Sequence, residues 1–165
     1  MGDVMKSLVV YYSRSGKTED IAGIIAKKLG SEIEEIDDHK NRKGLLGFIS
    51  SGNEAYLQRA IPIEKLKKDP AQYELIIVGT PIWAGNMSTP ILSFLKEYKG
   101  KINKFAFFST CLGSDLNKIL LYMEHIIPQK PIAVMNINYQ AFKKQYHVKM
   151  VEEFINSIKK DVKGW

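Results

Sequence analysis

The chain has 165 residues, of which 45% are hydrophobic and 25% charged, which is enough apolar material for one core, so we expect a single domain over residues 1–165. Its net charge of +6 is carried by scattered lysine pairs rather than a basic stripe interleaved with aromatic residues, and no apolar run approaches a membrane span, so we expect neither nucleic-acid binding nor membrane insertion. With one cysteine, Cys111, three histidines and no signal-peptide pattern, we expect a cytoplasmic protein that has no disulfide and no metal site.

Short β-branched and apolar runs alternate with longer stretches of helical period, a pattern typical of a parallel sheet covered by helices on both faces. The sequence therefore predicts an α/β fold. The predicted strands are Ser7 to Tyr12, Glu32 to Ile36, Leu75 to Gly79, Phe105 to Ser109 and Ile132 to Asn136.

Helices are predicted between these strands from their apolar spacing and end signals. The first carries an apolar face from Ile21 to Leu29 and ends at Gly30, while the third begins with Thr89 as N-cap before Pro90 and ends at Gly100. A short helix interrupted by glycines is expected near Leu45 to Leu57, within the crossover between the second and third strands. Ser114 or Asp115 can cap the fourth helix, and the last carries a stripe from Val148 to Val162.

The loop after the first strand carries the chemistry of an anion site. Ligands of open parallel sheets bind beyond the carboxyl ends of the strands, and free amides at a helix N-terminus attract phosphate. This loop offers hydroxyls, a glycine and two cations, in the order Ser13, Arg14, Ser15, Gly16, Lys17 and Thr18. An ordinary capped turn explains the same residues equally well. A nucleotide P-loop does not, because Tyr11 replaces its first glycine and no aspartate follows the third strand.

Two further loops follow neighbouring strands at the same edge of the sheet. The first contains Trp83 between a proline and a glycine, and an indole on a loop is better placed to lie against a flat aromatic ligand than to pack in the core. The alternative is a tryptophan folded back over the third helix. The second loop, Thr110 to Gly113, supplies small residues and backbone amides.

Taken together, the three loops resemble those of the flavodoxin family. SRSGKT is similar to the family's phosphate loop, and GTPIWAGNMSTPILSFL to its second flavin loop and the following helix. The resemblance implies a flavodoxin-like three-layer sandwich, a five-stranded parallel sheet of order 2-1-3-4-5, and FMN as cofactor. Only a short stretch separates the fifth strand from the last helix, as in short-chain members.

The resemblance also implies a role for each loop. The first would hold the phosphate, with Arg14 adding positive charge. The second would flank the isoalloxazine ring and the third its pyrimidine edge. The implied cofactor-binding residues are Ser13, Arg14, Ser15, Gly16, Lys17, Thr18, Pro81, Ile82, Trp83, Ala84, Gly85, Thr110, Cys111, Leu112 and Gly113.

Three features depart from the family pattern. Lys17 stands where the family often has asparagine, which adds a charge to the phosphate loop. The third loop has no tyrosine to cover the outer flavin face, and Leu112 is its largest residue. The chain is basic whereas typical flavodoxins are acidic, so its flavin is expected at a less negative potential.

The resemblance implies an electron carrier that needs no catalytic acid or base and exchanges electrons with a redox partner protein or a small-molecule acceptor. The alternative is an FMN-dependent NAD(P)H or quinone oxidoreductase, whose substrate would reach the uncovered flavin face. A flavodoxin-like interaction module without cofactor is a third possibility. Turnover of NAD(P)H with a quinone, without any protein partner, separates the first two.

Overall fold

A twisted sheet carries the fold in the computed structural model, which describes residues 5–39, 44–113 and 116–162. Five parallel strands lie in the order β2-β1-β3-β5-β6, and the short strand β4 pairs antiparallel with the end of β3. With β4 left out, this is the order 2-1-3-4-5, and the predicted α/β fold is confirmed. The strands are β1 (Ser7–Tyr11), β2 (Glu32–Glu35), β3 (Leu75–Trp83), β4 (Asn86–Met87), β5 (Lys104–Cys111) and β6 (Val134–Asn138).

Helices cover both faces of the sheet and enclose two apolar clusters. One face carries α1, α5 and α6, and the other carries α2, α3 and α4. No helix in the described ranges is both long and apolar enough to cross a bilayer. The helices are α1 (Lys17–Leu29), α2 (Gly44–Tyr56), α3 (Thr89–Tyr98), α4 (Leu116–Ile126), α5 (Tyr139–Lys143) and α6 (His147–Asp161).

Helix α1 forms where its apolar spacing predicts it. Its residues at positions 21, 22, 25, 26 and 29 are buried against the sheet, and acidic residues in its first turn and lysines in its last complement the helix dipole. Gly30 ends it at φ 65°, in the left-handed conformation that favours glycine. The glycine-interrupted helix of the crossover is also confirmed, as α2.

The third strand does not end at Gly79, as the sequence predicted, but continues to Trp83. Beyond Gly79 it loses β1 as a neighbour yet keeps β5, since Pro81 is still in register with Thr110. A proline is tolerated where a strand is paired on one side only. After Trp83 the chain turns back, so that Ile82 and Trp83 pair with β4, a strand that the sequence did not predict.

Other boundaries differ by one or a few residues. β5 extends to Cys111 and β6 is shifted to Val134–Asn138, because the two strands pair as far as their carboxyl ends. Ser88, not Thr89, is the N-cap of α3, and Gly100 lies in a 3₁₀ turn after Tyr98. The short helix α5 was not predicted, and the proposed caps Ser114 and Asp115 lie outside the described residues.

Candidate functional site

A cavity of about 500 Å³ opens at the carboxyl edge of the sheet, within the usual size range of a small-molecule site. All three predicted loops contribute to its wall, and all but three of the predicted site residues line it. Ser13, Gly16 and Thr18 are the exceptions. The lining residues are Arg14, Ser15, Lys17, Gly52, Pro81, Ile82, Trp83, Ala84, Gly85, Thr110, Cys111, Leu112, Gly113 and Phe142.

The loop after β1 turns sharply into α1 at Gly16. This residue is the N-cap at φ 84°, where any side chain would strain the backbone, although a Cβ atom would meet nothing within 4 Å. Its N–H donates to Ser13 Oγ at 3.1 Å, and its carbonyl accepts from Asp20 N at 2.8 Å. Ser13 and Gly16 thus shape the loop, whose following amides open α1 without intrahelical partners.

Thr18 ties the first loop to the third. Its side chain is 2% exposed, and its Oγ1 lies 2.8 Å from Oγ1 of Thr110, one hydroxyl donating to the other. The contact joins the start of α1 to the end of β5, two elements that are far apart in the sequence. Thr110 lines the cavity, and Thr18 holds it there from the start of α1.

Trp83 is a core residue as well as a cavity residue, and its placement on an exposed loop was wrong. The side chain is 6% exposed and its ring meets Tyr12 edge to face, with centroids 5.6 Å apart. The Arg14 guanidinium lies over the indole, 5.7 Å from the ring centroid. The indole is buried because β3 continues to position 83, which directs it onto the apolar cluster beneath α3.

The second loop is a two-residue hairpin turn. Trp83 pairs with Asn86 across it, and both central residues have positive φ, 47° at Ala84 and 74° at Gly85. Such a turn matches the right-handed twist of the flanking strands. Gln58 Nε2 donates to Asn86 Oδ1 at 3.1 Å, which fastens the hairpin to the end of α2.

The third loop combines a buried thiol with an exposed apolar side chain. Cys111 Sγ donates to Asn136 Oδ1 at 3.2 Å, and Ser109 Oγ donates to the same oxygen at 2.8 Å. Leu112 is 75% exposed at the rim of the cavity. The third loop therefore brings an exposed apolar side chain to the cavity.

Two lining residues, Gly52 and Phe142, were missed by the sequence analysis. Gly52 lies on α2, and Phe142 on α5, directly after the carboxyl end of β6. The rule that placed ligands beyond strand ends applied equally to β6 and could have identified the aromatic residues there. Gly52 carried no comparable signal.

Carboxylates border the first loop on the side of β2. Burial and the carboxylates of Glu19 and Asp37 raise the pKa of Glu35, and a hydrogen bond from the Ser13 backbone partly lowers it. Farther along the same edge, His39 Nε2 lies 3.0 Å from Glu64 Oε1, and Glu64 N donates to Asp37 O at 2.8 Å. These contacts fasten the segment around Glu64 to the end of β2.

Solved structures with the same fold include flavoproteins. A flavoprotein from Lactobacillus acidophilus, solved in complex with FMN, superposes with a TM-score of 0.68 at 22% identity, over 85% of this chain and 97% of that one. A flavodoxin from the domain Archaea gives a TM-score of 0.57 at 18% identity, over 94% of this chain and 99% of that one. These similarities establish the flavodoxin-like fold.

Sequence relatives include enzymes. A protein named NAD(P)H dehydrogenase (quinone) from Afipia carboxidovorans is 30% identical over 95 residues, which are 58% of this chain and 47% of that protein. One of the same name from Cupriavidus metallidurans is 26% identical over the same shares. The chain thus matches about half the length of these relatives.

The family model described as Flavodoxin matches residues 6–154, which include the strands, the three loops and about half of α6. FMN is the cofactor of that family. With the sheet order, the cavity at its carboxyl edge and this match, the chain belongs to the flavodoxin family.

Proposed function

We propose that this flavodoxin-family protein binds FMN in the cavity at the carboxyl edge of the sheet and carries electrons between redox partners in the cytoplasm. The observation that carries the proposal is the convergence of the three loops on one cavity whose wall contains both cationic and apolar side chains. The lone cysteine, whose side chain is buried, is compatible with a reducing compartment.

The donor set fits a phosphorylated flavin. Arg14, Ser15 and Lys17 line one part of the cavity beside the opening amides of α1, and these groups suit a phosphate dianion. Pro81, Trp83 and Leu112 give other parts of the wall an apolar character that suits a flat ring. Thr110 and Gly113 can offer polar backbone and side-chain groups to the edge of that ring.

Bound FMN supplies the electron-transfer chemistry, and the residues of the chain bind it, orient it and limit its contact with water. Buried Trp83 and the hairpin turn at Ala84 and Gly85 form one wall of the cavity, and the pairing of Trp83 with Asn86 closes this turn. The open rim at Leu112 leaves a route by which a redox partner approaches the flavin.

The same open rim favours a second candidate function, an FMN-dependent NAD(P)H or quinone oxidoreductase. Leu112, which lines the cavity, is 75% exposed. An apolar rim of this kind suits a flat, uncharged acceptor as well as a protein surface. The names of the sequence relatives agree with this candidate.

A titration with flavins tests the proposal. Purified protein is freed of cofactor, FMN or riboflavin is added, and the visible absorption and flavin fluorescence are recorded. We expect FMN to bind much more tightly than riboflavin, because only FMN carries the phosphate. Absence of binding by either flavin would leave an interaction module without cofactor. Turnover of NAD(P)H with a quinone, without a protein partner, would select the oxidoreductase over the carrier.

A further inference from the structure

The ammonium group of Lys17 lies against two aromatic rings of α5. Its Nζ is 4.9 Å from the ring centroid of Tyr139 and 5.6 Å from that of Phe142. None of the ion pairs within the described ranges involves Lys17. The partners of this cation in that part of the chain are therefore aromatic faces, which attract a cation through their ring quadrupole.

The topology of the sheet creates this contact. Helix α1 starts after the carboxyl end of β1, and α5 starts after the carboxyl end of β6. Both helices pack on the same face of the sheet, so the first residue of α1 faces the short helix α5. Phe142 is in turn stacked on His147, with ring centroids 5.1 Å apart and an interplanar angle of 27°. His147 opens α6, so the ring of Phe142 is braced by a long helix.

Lys17 and Phe142 both line the cavity, together with Arg14 and Ser15 of the phosphate loop. An unrestrained lysine side chain would lose rotamer freedom on binding an anion, which weakens binding. A lysine already held beside the loop loses less. Asparagine, which the family often has at this position, is uncharged, so a family member with asparagine there has no cation for α5 to position.

We propose that Tyr139 and Phe142 are positioning residues that hold the Lys17 ammonium at the phosphate end of the cavity and so raise the selectivity of this chain for phosphorylated flavin. This inference rests on the proposed function, because it assumes that FMN occupies the cavity. It adds a role for α5, which contributes through Lys17 rather than by touching the phosphate.

The test is a double-mutant cycle read as the ratio of the riboflavin Kd to the FMN Kd. A residue that serves only the fold affects both flavins alike and leaves this ratio unchanged. We expect Lys17→Gln to lower the ratio about tenfold and Phe142→Leu to lower it about three- to tenfold. In the Lys17→Gln background, Phe142→Leu should change the ratio less than about twofold. Phe142→Tyr, which keeps a ring, should restore it.

A second variant and two control variants accompany this test. Tyr139→Leu changes a side chain that is 45% exposed, so it provides the same comparison if Phe142→Leu does not fold. Tyr146→Leu, at a 61% exposed ring beside α6, and Lys27→Gln, at the other end of α1, should leave the ratio unchanged. An unchanged ratio in Phe142→Leu and Tyr139→Leu, or tighter FMN binding by them, overturns this inference and leaves the proposed function intact. Failure of the wild type to bind any flavin overturns both.

Discussion

At the scale of single residues, Trp83 combines two roles that the sequence analysis treated as alternatives. It packs edge to face on Tyr12 within the core, and it also lines the cavity under the Arg14 guanidinium. Removing the whole ring would leave a core cavity costing about 3–5 kcal/mol of stability, so Trp83→Ala cannot separate folding from flavin binding.

Trp83→Phe is the informative variant. It keeps an aromatic ring in the core, and we expect it to fold, to bind FMN more weakly and to leave more residual flavin fluorescence, because a smaller ring covers less of the flavin. Emission of the two tryptophans on FMN addition gives a second measurement, since Trp165 alone emits in the variant. Phe105→Leu, at a buried ring away from the cavity, is the control. Equal loss of FMN affinity in both variants would contradict contact between Trp83 and the flavin.

The ionisation of the Tyr11 phenol changes the stability of the fold with pH. Burial, with the carboxylates of Glu35 and Glu19, raises the pKa of its phenol to about 12. A raised pKa in the folded state stabilises the fold fully below the unfolded pKa of about 10, and this contribution is lost as the pH rises toward 12. We therefore expect the free energy of unfolding to fall more steeply between pH 10 and pH 12 in the wild type than in Tyr11→Phe. Urea unfolding measures this, and Tyr146→Phe is the exposed control. Parallel curves for wild type and Tyr11→Phe would refute it.

At the scale of elements, two glycines separate backbone conformation from packing. A Cβ atom added at Gly85 or at Gly23 would meet nothing within 4 Å, but Gly85 has φ 74° in the hairpin whereas Gly23 lies in the regular helix α1. Any difference between alanine variants at these positions therefore comes from the backbone.

We expect Gly85→Ala to lower the free energy of unfolding by about 1 kcal/mol, because the left-handed conformation is strained for an L-residue. Gly23→Ala should raise it by about 0.5–1 kcal/mol, since alanine favours the helix and restricts the unfolded chain. Urea denaturation of the two variants checks both signs. Stabilisation by Gly85→Ala would mean that residue 85 does not adopt the left-handed conformation in the folded hairpin.

At the scale of the whole molecule, net charge and local charge differ in sign. The chain carries +6 overall, yet Glu35, Asp37, Asp38 and Glu64 border the groove at the carboxyl end of β2, next to Ser13. Lysines of the same groove offset part of this charge, among them Lys65 and Lys67. If the net positive charge steers the partner, an acidic surface docks. If the acidic groove steers it, a basic surface docks.

We expect the net charge to dominate, so that electron exchange is faster with acidic than with basic redox proteins and slows as salt is added. Stopped-flow measurements over a range of ionic strength test this. The double variant Lys159→Gln/Lys160→Gln lowers the net charge by two at the end of α6 and should slow the exchange with acidic proteins. Faster exchange with basic proteins at low salt would show instead that the acidic groove controls docking.

The sequence alone determined the alternation of strands and helices, the first helix and the first loop, because these depend on local signals, whereas the strand order followed from the resemblance to the flavodoxin family. Continuous apolar runs specify the central strands β1, β3 and β5, which are largely buried, and the spacing from Ile21 to Leu29 specifies one helical face. The hydroxyls and glycine of the first loop mark a turn into a helix. Parallel strands then bring their carboxyl ends to one edge, which is why most of the predicted residues meet in one cavity.

Only the tertiary structure decided the position of Trp83, the hairpin with β4 and the aromatic contact of Lys17. The third strand passes Pro81 because β5 remains beside it, and that pairing joins residues remote in sequence, Pro81 and Thr110. Tyr139 and Phe142 meet Lys17 because β6 and β1 deliver α5 and α1 to the same face. Such contacts depend on which strands become neighbours, and no short stretch of sequence carries that information.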